Sequence, residues 1–176
     1  MNSRRKLHVI FPRAEIQAAV ERLASRISAD YAGKEPLFIG VLKGSFIFMA
    51  DLVRQVDIPV EIDFIRLSSY SGTNTSGKVK VVQGLRSPVK GRHVLVVEDV
   101  VDTGVTLAFL MDYLKKKNPA SLRLCALTDK PARRRVPVKI DYLGRELPDK
   151  FIVGYGLDCD EKFRNLPDIC YFEEEK

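Results

Sequence analysis

The chain has 176 residues, of which 45% are hydrophobic and 30% charged, the balance of an ordinary globular domain with a sizeable core. Its formal charge of +6 favours anionic partners such as phosphorylated metabolites or nucleic acid, and equally favours simple solubility. Three widely spaced cysteines and two histidines exclude a disulfide framework and a zinc site, so we expect a reducing, cytoplasmic location. No window approaches the roughly 18 apolar residues of a membrane span, and the first apolar run is too short for a signal peptide.

Helix and strand patterns alternate through the first half of the chain. Apolar residues at helical spacing predict a helix over 13–30. The apolar run at 36–42 predicts a strand covered on both faces, and a second helical stripe extends over 46–56. Alternating residues predict a strand at 60–67, and the uncharged stretch at 68–77 predicts a loop.

The second half continues the alternation and then changes character. Strands are predicted at 78–83, 93–99 and 121–128, with a helix at 106–117 that ends in lysines. This order indicates an α/β fold with a mostly parallel central sheet flanked by helices. From Asp129 onward the chain is rich in proline and charge, so we expect one domain with a core over about 36–128 and a small hood or flap over about 129–172 that also receives N-terminal contributions.

The stretch VEDVVDTGVT at 97–106 is the most informative in the chain. A buried strand stops at two acids, Glu98 and Asp99, and ligands of open α/β sheets bind at such strand ends. Neighbouring residues of an extended chain point to opposite sides, so the two carboxylates can reach hydroxyls or a hard cation such as Mg²⁺ in two directions. Asp102 follows, and with Thr103 it begins a turn of small residues.

The turn leads straight into a helix, whose N-terminus attracts phosphate. The residues of the turn are Asp102, Thr103, Gly104, Val105 and Thr106. The acids can bind hydroxyl groups and a metal ion, and the adjacent turn offers hydrogen-bond donors to a phosphate. Together they predict a site for a sugar phosphate. Helix capping by Asp102 and Thr103 is the structural alternative, but it leaves Glu98 and Asp99 unexplained.

On these residues the chain resembles the type I phosphoribosyltransferases, whose signature for phosphoribosyl diphosphate (PRPP) matches VLVVEDVVDTGVTL at 94–107. The resemblance implies that Glu98 and Asp99 bind the ribose hydroxyls and that 102–106 hold the 5′-phosphate. The loop GVLKGS at 40–45 is not a Walker A motif. It is similar to the family's pyrophosphate loop, which implies pyrophosphate contacts from Lys43 and Gly44 and often a cis peptide between Leu42 and Lys43.

The remaining motifs are similar to the 6-oxopurine group of that family, over about 36–172. Ser69 and Tyr70 match the start of a mobile loop that closes over the reactive centre. Lys130 matches a lysine that donates to the purine O6, which would disfavour adenine. In the C-terminal segment Phe151 matches the aromatic residue that stacks on the base. Ile152 matches the residue whose backbone hydrogen-bonds to the edge of the base.

Two further residues of the C-terminal segment complete the resemblance. Asp158 matches a magnesium ligand beside the base, and Arg164 a pyrophosphate-binding arginine. The implied metal ligands are therefore Asp158 for one Mg²⁺, with Glu98 and Asp99 near a second. We expect Asp102 to accept the proton of purine N7 as general base.

The resemblance implies a purine-salvage enzyme, most like bacterial hypoxanthine (guanine) phosphoribosyltransferases. It would join a 6-oxopurine to the phosphoribosyl group of PRPP with Mg²⁺, act as a homodimer or homotetramer, and need neither nucleic acid nor membrane. Two alternatives stay open: a xanthine- or guanine-preferring enzyme, and a regulatory RNA-binding protein with this fold. We interpret Arg133 to Arg135 as a solvated basic face rather than a nucleic-acid patch.

Overall fold

The computed structural model describes residues 6–69 and 79–173. Its helices are α1 (Arg13–Asp30), α2 (Phe46–Gln55), α3 (Val105–Lys115) and a short 3-10 helix (Pro131–Arg133). Its strands are β1 (Leu7–Phe11), β2 (Leu37–Leu42), β3 (Glu61–Ser69), β4 (Val79–Gln83), β5 (His93–Val101), β6 (Ser121–Asp129), β7 (Tyr142–Glu146), β8 (Ile152–Val153) and β9 (Ile169–Phe172).

Six strands form the central sheet in the order β4-β3-β2-β5-β6-β7. β2, β3, β5, β6 and β7 are parallel, and β4 joins the edge antiparallel to β3. The predicted α/β fold with a mostly parallel sheet is therefore confirmed. β2 and β5 lie at its centre, which explains why their sequences are nearly continuous apolar runs.

Two hydrophobic cores cover the two faces of the sheet. Successive residues of β5 point alternately into them: Leu95 and Val97 pack with α1 and α2 in one core, and Val94 and Val96 pack with α3 in the other. This alternation is the period-two geometry of a strand. Burial on both faces fixes β5, and with it the acids near its carboxyl end.

A second, three-stranded sheet has the order β1-β9-β8. Its strands are antiparallel and join the N-terminal residues to the C-terminal segment, as expected for a hood with N-terminal contributions. The segment after Asp129 also reaches the edge of the core, because Tyr142–Glu146 adds the sixth strand to the central sheet beside β6.

The boundaries of two elements differ from the prediction in ways that matter for the site. β5 continues two residues beyond its predicted end, to Val101, because it pairs with β6 as far as Asp129, so Glu98 and Asp99 lie within the strand instead of at its last two positions. α3 begins one residue early, at Val105, directly behind Gly104 in a left-handed conformation (φ 82°). None of the described helices is long and apolar enough to cross a membrane.

Candidate active site

The acidic pair lies on a part of β5 that β2 does not cover. Pairing between β2 and β5 extends only to Gly40 and Val97, whereas β6 pairs with β5 as far as Val101. Glu98 and Asp99 therefore lie beside the point where β2 turns away. This is the crevice between two parallel strands in which α/β proteins bind ligands.

The carboxyls of Glu98 and Asp99 adjoin each other, with Asp99 buried and Glu98 half-buried. Asp99 is only 4% exposed, and its Oδ1 accepts a hydrogen bond of 3.0 Å from the backbone N–H of Val100. Burial raises the pKa of Asp99. Burial, followed by the charge of Asp99, raises the pKa of Glu98 well above its ordinary value. Hydroxyl donors or a cation at this place would stabilise both negative charges.

The turn after β5 is clamped from outside by the segment that follows β6. The carbonyl of Thr103 accepts hydrogen bonds from the N–H groups of Arg135 and Val136, at 2.9 and 3.0 Å. A side chain on Gly104 would overlap the carbonyl of Val136, so glycine is required there by both space and φ. A small cavity of about 180 Å³ opens on the inner side, lined by Glu98, Val100, Asp102, Thr103, Gly104, Thr106 and Leu107.

The loop between β2 and α2 packs directly on the acidic pair. The Leu42–Lys43 peptide is cis. A Cβ on Gly44 would overlap the carboxylate of Asp99, and one on Gly156 would overlap the carbonyl of Gly44. Gly44 is therefore held between β5 and the C-terminal segment, where its backbone is open to a ligand beside Asp99.

A two-residue hairpin in the C-terminal segment closes this side of the site. Nη1 of Arg164 donates to the carbonyl of Gly156 at 2.7 Å, and Nη2 lies 2.9 Å from Oδ1 of Asp158 and 3.3 Å from Oε2 of Glu161. The same Oε2 lies 2.7 Å from Nζ of Lys43. Lys43 and Arg164, both predicted to contact pyrophosphate, are thus joined by one carboxylate.

The residues predicted to bind a purine meet on the other side of Asp102. Nζ of Lys130 donates to the carbonyl of Lys150 at 2.6 Å, and burial lowers the pKa of Lys130. Phe151 is 61% exposed and stacks on Phe172, with ring centroids 6.3 Å apart. Ile152 is buried in β8. An exposed ring beside a buried amine is suited to a flat base with a carbonyl group.

The interpretation of Arg133 to Arg135 as a solvated basic face was wrong only for Arg134, which is largely buried, whereas Arg133 and Arg135 are exposed. Nε of Arg133 lies 2.7 Å from Oδ1 of Asp102, and its Nη1 lies 3.3 Å from Oδ1 of Asp149. Arg134 forms a largely buried ion pair with Asp129. The acids beside Arg133 lie 31 and 16 residues away in sequence, whereas Asp129 is only five residues before Arg134.

Not every predicted site residue can be placed. Ser69 is the last residue of β3, and Tyr70, with the rest of the predicted loop to Gly77, lies outside the described residues. Asp158 is also not joined to Glu98 and Asp99: in the described part of the chain no three His, Cys, Asp or Glu side chains form one metal-binding group.

Sequence reasoning missed three charged residues at the site: Arg133, Asp149 and Glu161. Arg133 was assigned to the surface, and Asp149 carried no motif. Glu161 did leave a signal, since it is the last of three acids in DCDE at 158–161, just before Arg164. Only the hairpin that folds this segment against the loop after β2 shows what Glu161 contacts.

The sequence matches the phosphoribosyl transferase domain family over residues 10–160. It is 45% identical over 168 residues to a hypoxanthine-guanine phosphoribosyltransferase of Streptococcus pneumoniae, covering 95% of this chain and 93% of the relative. It is 43% identical over 164 residues to a hypoxanthine phosphoribosyltransferase of Salmonella typhimurium, covering 92% of each.

The fold gives the same result. A crystal structure of a hypoxanthine-guanine phosphoribosyltransferase from Bacillus anthracis superposes with a TM-score of 0.90 at 45% identity, covering 96% of this chain and 99% of that one. The match extends over both the central sheet and the C-terminal segment that packs on it. With its signature strand, turn and loop placed as described, the chain belongs to the phosphoribosyl transferase domain family.

Proposed function

We propose that this protein transfers the 5-phosphoribosyl group of PRPP to hypoxanthine, and also to guanine, giving the nucleoside 5′-monophosphate and pyrophosphate in purine salvage. The arrangement around Asp99 and Asp102 carries the proposal. Asp99 packs on Gly44 of the loop after β2, and Asp102 lies beside Arg133 on the side of Lys130 and Phe151. This arrangement supports one site that binds a diphosphate, a sugar phosphate and a flat base in that order.

The ribose and its phosphate would be held by β5 and the turn after it. Glu98 and Asp99 accept hydrogen bonds from the two ribose hydroxyls, which supply the donors that these desolvated carboxylates need. Backbone N–H groups over 103–106, at the start of α3, and the hydroxyls of Thr103 and Thr106 bind the 5′-phosphate. The negative charge of the acids also stabilises positive charge that develops on the ribose ring.

The reaction breaks the bond between the anomeric carbon and the pyrophosphate oxygen, which leaves with the electron pair. A ring nitrogen of the purine forms the new bond to that carbon, and the proton on N7 moves to the carboxylate of Asp102 as general base. Backbone N–H groups of Lys43 and Gly44, with Arg164, stabilise the departing pyrophosphate. Lys130 donates to O6, Phe151 stacks on the base, and the backbone at Ile152 reads its edge.

The proposal includes Mg²⁺, which would neutralise the leaving pyrophosphate as a Lewis acid. Asp158 on one side and Glu98 with Asp99 on the other are hard oxygen donors that suit this ion. Mg²⁺ bound to nucleotide phosphates takes only one or two carboxylates from the protein. Separate carboxylates, as found here, therefore fit the ion as well as a dedicated cluster would.

The proposal extends to the organisation of the protein. We propose a single domain that forms a homodimer or homotetramer, supported by exposed apolar side chains at Phe46 and Ile62. The free thiols of Cys125, Cys159 and Cys170 support a cytoplasmic location. A nucleic-acid role has less support, because Arg133 and Arg134 are already paired with acids of this chain.

The direct test is formation of inosine monophosphate from hypoxanthine, PRPP and Mg²⁺, with Gly44→Ala as the matched variant. We expect turnover by the native protein and loss of PRPP binding in the variant, because the added methyl group overlaps the carboxylate of Asp99. Absence of turnover in the native protein would overturn the proposed function. Full PRPP binding by a folded Gly44→Ala variant would remove the loop after β2 from the site.

A further inference from the structure

Glu161 occupies the space between the two cations assigned to pyrophosphate. Its Oε2 lies 2.7 Å from Nζ of Lys43 and 3.3 Å from Nη2 of Arg164. Lys43, and after it Arg164, lower the pKa of the Glu161 carboxyl, which is therefore ionised at neutral pH. The side chain of Glu161 is 65% exposed, so it is free to move away when another anion arrives.

The backbone beneath Glu161 is one that normally selects glycine. Cys159 and Lys162 exchange two backbone hydrogen bonds of 3.1 and 3.0 Å, and the two residues between them, Asp160 and Glu161, have φ of 52° and 62°. Two left-handed residues make a type I′ turn, for which Asn-Gly is the preferred pair. A glutamate in the place of that glycine holds a backbone conformation that disfavours residues with a Cβ. The glutamate at this position places a carboxylate between Lys43 and Arg164.

This carboxylate and a bound diphosphate need the same donors. Arg164 uses Nη1 for the carbonyl of Gly156, so Nη2 is the group shared by Asp158 and Glu161. A diphosphate that binds Nη2 of Arg164 competes with Glu161 for that group. Two anions side by side would also repel each other across Lys43.

We propose that Glu161 is a built-in competitor of the diphosphate group: its carboxylate neutralises Lys43 and Arg164 in the empty site, gives way when the diphosphate binds, and returns as pyrophosphate leaves. The inference rests on the proposed function, and it assigns Glu161 a role in ligand selectivity and product release. A single carboxylate is displaced by a magnesium-bound diphosphate, which offers several charged oxygens. It competes far better against a single small anion such as inorganic phosphate.

Calorimetric titration of the full-length protein with magnesium pyrophosphate tests this, comparing the native chain with Glu161→Gln and Asp160→Asn. The two variants change net charge by the same amount in the same turn, and the amide of asparagine tolerates a left-handed backbone. We expect Glu161→Gln to bind pyrophosphate roughly three- to tenfold more tightly, since two exposed ion pairs no longer have to be broken. Asp160→Asn should bind like the native chain, and only Glu161→Gln should gain measurable affinity for inorganic phosphate.

Two results would overturn the competitor role while the proposed function stands. Weaker pyrophosphate binding by Glu161→Gln would show that Glu161 orients Lys43 and Arg164 for the ligand instead of competing with it. Equal tightening in both variants would show a general effect of charge. A native protein that neither binds magnesium pyrophosphate nor turns over PRPP would instead overturn the proposed function, and the inference with it.

Discussion

Nε of Arg133 lies 2.7 Å from Oδ1 of Asp102, so the proposed general base is paired with an arginine from the segment that carries Lys130. The guanidinium also reaches Asp149, 3.3 Å away, just before the exposed ring of Phe151. Arg133 therefore connects the end of β5 to the base-binding side of the site. Asp102 is held at the boundary between sugar and purine, where a proton acceptor for N7 is needed.

Replacement of Asp102 by asparagine should lower turnover by about 10²–10⁴-fold, the usual contribution of a general base. The amide keeps the size of the side chain, so PRPP affinity should be largely retained. Steady-state turnover and PRPP titration of the variant measure the two effects separately. Asp112→Asn, on the exposed face of α3, serves as control. Lost PRPP binding with nearly normal turnover would contradict the role of Asp102.

Replacement of Lys130 by alanine should weaken hypoxanthine binding by about 10- to 100-fold, the worth of a hydrogen bond from a charged donor. PRPP binding should not change, because Lys130 lies on the base side and contacts the carbonyl of Lys150. Titrations with hypoxanthine and adenine give the measurement. An unchanged preference between these two bases would remove Lys130 from the specificity argument.

Glu98 should make the ligand-free protein less stable as pH rises. Burial raises the pKa of Glu98 above its ordinary value of 4.5, so the folded state keeps a proton that the unfolded state releases. The stability from this group is complete below pH 4.5 and is lost as pH rises through the folded-state pKa. Glu98→Gln should therefore be more stable than the native chain at neutral pH.

Urea unfolding from acid to neutral pH, without Mg²⁺ or PRPP, measures this difference. The two stability curves should converge toward acid pH and separate toward neutral pH. The same variant should lose PRPP affinity, since an amide is a poorer acceptor for the ribose hydroxyls. Parallel stability curves would show that Glu98 is not desolvated in the folded protein.

Arg134 and Arg135 are adjacent but should differ in their effect on stability. Arg134 pairs with Asp129, and the two side chains are 18% and 11% exposed. Arg134→Ala leaves a mostly buried carboxylate without this partner and should cost about 2–4 kcal/mol of unfolding free energy. Arg135 is exposed, so Arg135→Ala should change stability by less than about 0.5 kcal/mol. Equal effects in denaturant unfolding would show that the Arg134 pair is not structural.

Local sequence patterns predicted most of the central sheet. The helical stripe at 13–30 coincides with α1, and the apolar runs coincide with β2, β5 and β6, because burial on both faces requires continuous apolar residues. The acids and the turn after β5 were recognisable because strand, turn and helix follow each other without interruption. The spacing of apolar residues predicts a helix or strand well when that element alone produces the pattern.

The remaining features depend on contacts between residues far apart in the sequence, which local patterns do not predict. β1 and β9 are short and pair across nearly the whole chain, so neither has a distinctive local pattern. The ion pairs of Arg133 were missed for the same reason: its partners, Asp102 and Asp149, lie 31 and 16 residues away in sequence. Glu161 was missed because its contact with Lys43 spans 118 residues. Charged residues show their role only once the fold brings their partners together.

The most direct test of the central claim is nucleotide formation by the purified protein with PRPP and Mg²⁺, compared across hypoxanthine, guanine, xanthine, adenine and uracil. The proposed function predicts turnover with hypoxanthine and guanine and none with adenine or uracil, because Lys130 offers a donor where adenine carries its own amino group. Xanthine as the preferred base would favour the related xanthine-directed activity. No turnover with any base, despite PRPP binding, would contradict the enzymatic account and favour a regulatory RNA-binding role, whose RNA affinity should fall steeply with salt.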